Sequence, residues 1–304
     1  MVFALVFTPI FMKEGMTGMF AVTSSATILW RVGRYFLIGI VGGLLLLLIT
    51  VDRDKLRARV PDILLAMFAV VFIHSGFTLL KNVMPFITPY FADPFLAKLD
   101  NTIHFGTDPW VIAHWIGQYL PTDLMMYSYL TIWALPAVTL PIIIALTDDD
   151  KARTARTLIL FFVAWGLIGN IMAFLGLSAG PVYYDRLLGT NRFEGLTEAL
   201  KAVGMEKTGI GYTQQALWDI YTGKLAKFGS GISAFPSVHV AIATVAAIYA
   251  TERSKLFLPL AIGFVLITFF FSVYTGYHYA VDGYVSMLVV FGIWRLLKRR
   301  ETVQ

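Results

Sequence analysis

Long apolar stretches, divided by short charged segments, recur along the chain from residue 35 onward. A helix that crosses the hydrocarbon core of a bilayer needs about 20 apolar residues. Hydrophobic residues make up 58% of the chain and charged residues only 14%, which is too apolar for an ordinary soluble domain. We therefore predict an all-α, polytopic membrane helix bundle. Its seven predicted spans are residues 35–51, 60–80, 123–146, 156–177, 235–251, 256–274 and 277–297.

The N-terminal residues 1–34 precede the first predicted span and are less uniformly apolar. Residues 1–12 are apolar but too short to cross a bilayer, and residues 15–30 are diluted by Thr and Ser. We predict an interfacial helix in this region, with an eighth span as the alternative. The first cation, Lys13, follows the early apolar stretch, so no cleavable signal peptide is expected. The chain has no cysteine, which excludes disulfides and thiolate catalysis.

Lysine and arginine cluster in four short segments between or after the predicted spans. In the seven-span arrangement these segments fall on one side of the membrane, which the positive-inside rule predicts to be cytoplasmic. The longer segments 81–122 and 178–234 then lie on the opposite side. The net charge of +5 follows from this bias, so no nucleic-acid partner is predicted. The clustered cations are Arg53, Lys55, Arg57, Arg59, Lys151, Arg153, Arg156, Arg253, Lys255, Arg295, Lys298, Arg299 and Arg300.

Two histidines lie at the predicted non-cytoplasmic ends of apolar spans. His239 ends the run FPSVH, and His278 precedes Asp282 by four residues, which on a helix places both side chains on one face. A carboxylate there can hold the imidazole N–H and free the other nitrogen to attack an electrophile, while a second imidazole protonates a leaving oxygen. Such a His–Asp pair alone also fits a structural hydrogen bond. Two histidine motifs on one membrane face favour catalysis.

The runs FPSVH (235–239) and HYAVD (278–282) resemble the second and third motifs of the type 2 phosphatidic acid phosphatase superfamily. Residues 93–109 further resemble its inositol phosphorylceramide synthase branch, and the resemblance extends from about residue 90 to 290. It implies a six-helix phosphatase-like core that forms a phosphohistidine on His278. By the same resemblance Asp282 supports that histidine and His239 protonates the departing oxygen. A water or a lipid hydroxyl then accepts the phosphoryl group.

The superfamily also has a first motif, whose lysine and arginine grip phosphate oxygens, and this motif has no clear counterpart here. Ser272 stands where the superfamily has a further arginine. Arg186, just after the fourth predicted span, is the predicted phosphate-binding cation, with Lys224, Lys227 and Arg192 as alternatives.

Three further side chains are candidates for substrate binding. Ser237 is predicted either to donate a hydrogen bond to phosphate or to cap the fifth span. Tyr183 and Tyr184 are predicted to line a headgroup pocket, although interfacial tyrosines commonly belong to an aromatic belt.

Residues 1–59 are predicted to form an interfacial segment with an extra span, and residues 60–304 a six-helix phosphotransferase-like domain. The predicted reaction moves a phosphate-linked headgroup from a phospholipid donor to a lipid alcohol such as ceramide or diacylglycerol. Hydrolysis of a lipid phosphate or polyprenyl diphosphate is the alternative. No cofactor or metal is expected, because the two histidines and one aspartate supply too few convergent ligands.

The reaction is expected on the non-cytoplasmic face of a bacterial inner membrane or a Golgi-type membrane. A proton-coupled transporter is less favoured, because its ionisable groups would lie near mid-membrane. In this chain the ionisable groups cluster at the ends of the spans.

Overall fold

The computed structural model describes residues 53–121, 127–224 and 231–301, which are helical and contain no β-strand. Five helices in these ranges are long and apolar enough to cross a membrane: Leu56–Ile87, Tyr129–Thr147, Lys151–Leu175, Lys255–Tyr274 and Ala280–Glu301. The predicted all-α, polytopic helical class is therefore confirmed. The predicted span 35–51 and the predicted interfacial helix lie outside the described residues.

The described α-helices are numbered in chain order. Tyr127–Ile132 is a π-helical segment that leads into α4, and Val163–Met172 is another that extends α5 toward Leu175. The helices are α1 (Arg53–Ile87), α2 (Asp93–Ile103), α3 (Pro109–Gly117), α4 (Trp133–Thr147), α5 (Lys151–Phe162), α6 (Pro181–Leu188), α7 (Glu194–Ala202), α8 (Gly209–Tyr221), α9 (Val238–Arg253), α10 (Leu258–Tyr274) and α11 (Ala280–Glu301).

Helix α9 forms the centre of the bundle. It has only 16 residues, and α4, α5, α10 and α11 pack around it. Four consecutive α9 residues are fully buried: Val240, Ala241, Ile242 and Ala243. Because consecutive residues point in different directions around a helix, this burial means that protein rather than lipid covers α9 on all sides at this level. The helix that carries His239 is therefore held by its neighbours along its first turns.

Charged side chains join the helices at one end of the bundle, here called the basic end. The Asp148 carboxylate accepts a hydrogen bond from the Arg153 guanidinium at 2.5 Å and lies 3.7 Å from the Arg253 guanidinium. Arg156 on α5 reaches Glu252 on α9 at 2.6 Å. These ion pairs bring together residues from separate segments of the chain. Further pairs at this end are Arg59 with Asp149, Arg156 with Glu301, and Lys298 with Glu252.

Short helices from the two long connecting segments cover the other end of the bundle. Several contact the end of α10 and the loop that follows it: Gln214 Nε2 donates to Thr275 O at 2.8 Å, and His114 Nε2 lies 2.9 Å from Tyr274 O. Gly180 has φ +91, and a Cβ there would lie 2.4 Å from Tyr277 O. Only glycine fits so close to that loop. These helices, α2, α3, α6, α7 and α8, are called the cap.

Candidate active site

His278 lies in the loop between α10 and α11 and is almost fully buried. Its Nδ1 is 3.2 Å from Oδ2 of Asp282 in the first turn of α11. The same carboxylate oxygen accepts the Tyr279 N–H at 3.0 Å, and the ring also interacts with the backbone carbonyl of Ala234. The predicted contact between His278 and Asp282 is present, although His278 precedes the helix. Since Nδ1 faces the carboxylate, Nε2 is the nitrogen that can attack a substrate.

His239 reaches the same site from the first turn of α9. Its ring centroid lies 6.1 Å from that of His278, with the rings inclined at 63°. Tyr129 stacks on His239 at 4.6 Å and Trp133 packs on it at 3.9 Å. The Trp133 indole N–H also donates to His239 O at 2.9 Å. These aromatic contacts fix the ring of His239 in place, facing His278.

Asp282 joins the two histidine motifs through its backbone. Its carbonyl oxygen accepts the Ser237 N–H at 3.3 Å and the Ser286 hydroxyl at 2.8 Å. Ser237 is fully buried and caps α9, since its Oγ accepts the Val240 N–H at 3.3 Å. Ser237 is thus placed as the predicted cap, and its contact with phosphate stays a prediction.

Two carboxylates outside the predicted site hold the α10–α11 loop in place. Asp93 accepts the N–H groups of Ala179 and Gly180 at 2.8 and 2.9 Å and the Tyr279 hydroxyl at 2.9 Å. Burial raises the pKa of Asp93, and these three hydrogen bonds oppose the rise. Asp93 therefore connects the segment before α6 to the residue that follows His278.

Asp100 holds the start of α11. Its two carboxylate oxygens accept the N–H groups of Ala280 and Val281 at 3.1 and 3.0 Å. Burial raises the pKa of Asp100, whereas the two backbone donors lower it. The seven-residue spacing of Asp93 and Asp100 puts both carboxylates on one face of α2, two helical turns apart. That spacing is the sequence signal by which both positions could have been found.

Asp100→Asn is expected to destabilise the protein. The amide offers one acceptor oxygen where the carboxylate offers two, and hydrogen bonds to a charged group contribute about 1.5–3 kcal/mol. We expect the free energy of unfolding to fall by an amount of this order. The thermal unfolding midpoint in detergent should be lower as a result. Asp219→Asn is the matched control, at a half-buried position on α8 where the carboxylate accepts one side-chain amide at 2.9 Å, and it should lower the midpoint by clearly less. Equal midpoints for both variants would contradict the proposed support of α11.

Three of the four predicted phosphate-binding cations lie in or beside the cap helices. Arg186 is bonded to Gln215 at 3.2 Å in an exposed position, and Lys224 is also exposed. Arg192 forms a two-pronged ion pair with Asp108 at 2.5 and 2.7 Å. Partial burial alone would raise the pKa of Asp108. The hydrogen bonds from Arg192 and Asn101 outweigh this effect, so the pKa lies below its usual value. Lys227 lies outside the described residues.

The sequence analysis missed one cation that packs against the segment leading to the first histidine motif. Lys81, near the end of α1, interacts electrostatically with His239 and with His278. Its ammonium lies 5.2 Å from the centre of the Phe77 ring, and a Cβ on Gly231 would lie 2.3 Å from Lys81 O. The segment that leads to α9 therefore runs directly against Lys81. Among the described residues, no carboxylate forms an ion pair with it.

The two candidate tyrosines differ in their surroundings. Tyr183 is buried, donates from its hydroxyl to Gln214 O at 3.0 Å and stacks on Trp218 at 5.9 Å. Tyr184 is half-buried and packs edge-on against Phe193 at 5.1 Å. Tyr183 is thus part of the packing between α6 and α8, and headgroup binding by either tyrosine stays a prediction.

A bundle of membrane helices with two imidazoles and a carboxylate together at one end is the arrangement expected of a membrane enzyme that uses histidine. In the described ranges, no three histidine or acidic side chains come together as metal ligands. The family model of the PAP2 superfamily, the type 2 phosphatidic acid phosphatases, matches residues 94–296. Because this match covers more than half of the 304 residues, the chain belongs to the PAP2 superfamily.

Members of this superfamily are lipid phosphatases and phosphotransferases, so the chain is an enzyme with a phosphatase-type activity on lipid phosphates. Among the curated proteins and the solved structures, no match to the chain was found. The match includes His239, His278 and Asp282 but begins after Lys81.

Proposed function

We propose that this enzyme transfers a phosphate-linked headgroup from a phospholipid to a lipid alcohol through a phosphohistidine on His278. The placement of His278 against Asp282, with His239 on the facing helix, is the observation that supports this proposal most directly. An imidazole held by a carboxylate through Nδ1 is an activated nucleophile at Nε2. The second imidazole is within reach of the same phosphoryl group.

The reaction has two steps in this proposal. In the first, Nε2 of His278 attacks phosphorus, the N–P bond forms and the bond from phosphorus to the leaving oxygen breaks. His239 gives its proton to that oxygen. In the second step, neutral His239 takes the proton of an acceptor hydroxyl, whose oxygen attacks phosphorus while the N–P bond breaks. Asp282 stabilises the positive charge on His278 whenever its ring is protonated or phosphorylated.

Lys81 is the cation that we assign to the phosphate oxygens. A transferring phosphoryl group carries negative charge that fixed cations stabilise. Lys81 is partly buried, interacts with both imidazoles and is not neutralised by a described carboxylate. Arg186 and Lys224 are exposed cap residues, and Arg192 is paired with Asp108. These contacts favour Lys81 over the three cap cations.

The choice of a lipid alcohol rather than water as acceptor rests on the resemblance of residues 93–109 to the inositol phosphorylceramide synthase branch. Asp93 and Asp100 in this segment hold the loop that carries His278. We place residues 60–304 in one phosphotransferase-like domain and residues 1–59 in a separate N-terminal segment. The family match lies within the larger part.

We also propose that the site faces the non-cytoplasmic side of the membrane. The basic side chains lie at the end of the bundle opposite to the histidines. Short basic segments remain on the cytoplasmic side during insertion. A cysteine placed at exposed Tyr212 in the cap should therefore react with an impermeant maleimide added outside intact cells or spheroplasts. Labelling only after lysis would contradict this orientation.

Product analysis tests the reaction. Purified protein is incubated with labelled phospholipids, with and without ceramide or diacylglycerol, and the products are identified by mass spectrometry. We expect the headgroup phosphate on the lipid alcohol, and unchanged turnover in EDTA because histidine, not metal, carries the phosphoryl group. If water is the only acceptor, so that the headgroup phosphate, or free phosphate from a lipid phosphate, is the sole product, the hydrolase alternative is established. Strict dependence on added metal would contradict the proposed chemistry.

A further inference from the structure

A cavity of about 720 Å³ lies at the basic end of the bundle, far along the helices from the histidines. Its floor is the second half of α9, and α10 and α11 form its two walls. The walls are largely apolar, and Ile262, Leu266 and Phe291 are about half exposed. The cavity is therefore a gap between two membrane helices that opens sideways toward lipid.

The gap arises because α10 and α11 are close at only one end. Near the site, Phe269 stacks on Tyr284 at 5.2 Å, and a Cβ on Gly283 would lie 2.5 Å from the Phe269 ring. Toward the basic end, residues of both helices line the cavity instead of each other. The two helices thus form a V whose apex is the loop that carries His278.

The rim of the cavity at the basic end is charged. Arg153, Arg156, Lys255 and Lys298 face Asp150, Glu252 and Glu301 there. The three carboxylates are all engaged by arginine or lysine within this rim. Lys255 is exposed and forms no ion pair with any residue that the structure describes. One cation is therefore available to an anion outside the protein.

Apolar walls at membrane depth exclude water, so hydrocarbon fills such a gap in a bilayer. Basic pockets between membrane helices on the cytoplasmic side attract anionic headgroups. We propose that this cavity binds one anionic phospholipid, with an acyl chain between α10 and α11 and its phosphate beside Lys255. The site is separate from the histidine centre, and its occupation does not depend on the reaction proposed above.

Such a lipid would set the opening of the V. Because α10 and α11 meet at Phe269 and Gly283, a chain between their far ends acts on the helix pair that holds His278 and Asp282. The bound lipid would therefore stabilise the active site without being a substrate.

Lipid retention tests the proposal without any measurement of turnover. The full chain is reconstituted in nanodiscs that hold equal amounts of phosphatidylcholine and phosphatidylglycerol. The protein is then released from the nanodiscs, and native mass spectrometry gives the mass of the protein with its retained lipid. We expect one phosphatidylglycerol retained per chain in preference to phosphatidylcholine. Lys255→Gln should lower this preference about fivefold, since one lysine near an anionic surface is worth about 1 kcal/mol. Ala247→Trp should remove the retained lipid by filling the cavity floor.

Lys201→Gln, an exposed cation on cap helix α7, is the matched control and should retain lipid as the wild type does. Equal retention of the two lipids by the wild type would overturn the anionic site. Unchanged retention in a folded Ala247→Trp variant would overturn the location. If tryptophan prevents folding, exposed Lys255→Gln decides the question, and an unchanged preference there refutes the proposal. A dimer that the wild type forms and Ala247→Trp abolishes would make the occupant a second copy of the chain.

Discussion

His278→Gln is expected to abolish turnover and the phosphoenzyme together. Glutamine keeps a polar side chain of similar length but has no nucleophilic nitrogen, so the N–P bond cannot form. Wild-type protein, incubated briefly with a phosphate-labelled donor lipid and quenched in alkali, should carry an acid-labile label that His278→Gln lacks. Turnover should fall below detection. The matched control is His114→Gln. His114 lies in cap helix α3 and contacts Tyr274 O, so its replacement should leave the label in place.

His239→Gln separates the two histidine roles. A general acid typically contributes about 10²–10⁴-fold to rate, so turnover should fall within this range while the label on His278 stays detectable. A donor with a more acidic leaving alcohol should recover part of the lost rate, because departure then needs less help from a proton. Wild-type activity in either histidine variant would rule out the assignment. Loss of the label in His239→Gln with the acidic donor would make His239 the nucleophile.

Lys81→Met is expected to lower kcat/KM by about 10²–10³-fold, the usual cost of removing one group that stabilises transition-state charge. Methionine keeps the unbranched stem of lysine against Phe77 but lacks the ammonium. Lys81→Arg should restore part of the rate, since a cation returns to the same helix position. Kinetics with a short-chain, water-soluble lipid phosphate measure the effect without interference from bilayer binding.

The matched controls are the cations that the sequence favoured. Arg186→Gln and Lys224→Gln remove exposed charges from the cap, and each should change kcat/KM by less than Lys81→Met does. The unfolding midpoint of Lys81→Met should match that of Lys81→Arg, which separates lost catalysis from lost folding. If kcat/KM falls further in Arg186→Gln than in Lys81→Met, Arg186 rather than Lys81 is the cation that binds the phosphate.

The general class of the fold was predictable because the bilayer imposes one simple requirement, a run of apolar residues per helix. The packing was not predictable from the same signal. The start of α9 carries valine, alanine and isoleucine side chains that would also suit a helix facing lipid, yet Val240, Ala241, Ile242 and Ala243 are all buried in protein. Hydrocarbon and a protein interior favour the same side chains, so hydropathy does not distinguish them.

The candidate site was predictable where its geometry is local. His278 and Asp282 are four residues apart, and a single turn of chain brings them into contact. Lys81 is distant in sequence and lies near the end of an apolar helix, where a lone lysine is typical of a membrane interface. Only the packing of α1 against the Gly231 segment brings it close enough to the histidine motifs to interact with them electrostatically. Contacts of this kind depend on the tertiary fold.

The short length of α9 determines how deep in the membrane the reaction takes place. Sixteen residues at about 1.5 Å per residue give a helix of about 24 Å, against about 30 Å for the hydrocarbon core. With Arg253 at the basic interface, the opposite end of α9 stops about 6 Å inside the hydrocarbon boundary. His239 is in that first turn, so in the proposed reaction the donor phosphate lies deeper in the bilayer than the phosphates of the surrounding lipids. A donor lipid that enters sideways between helices makes this descent without leaving the bilayer.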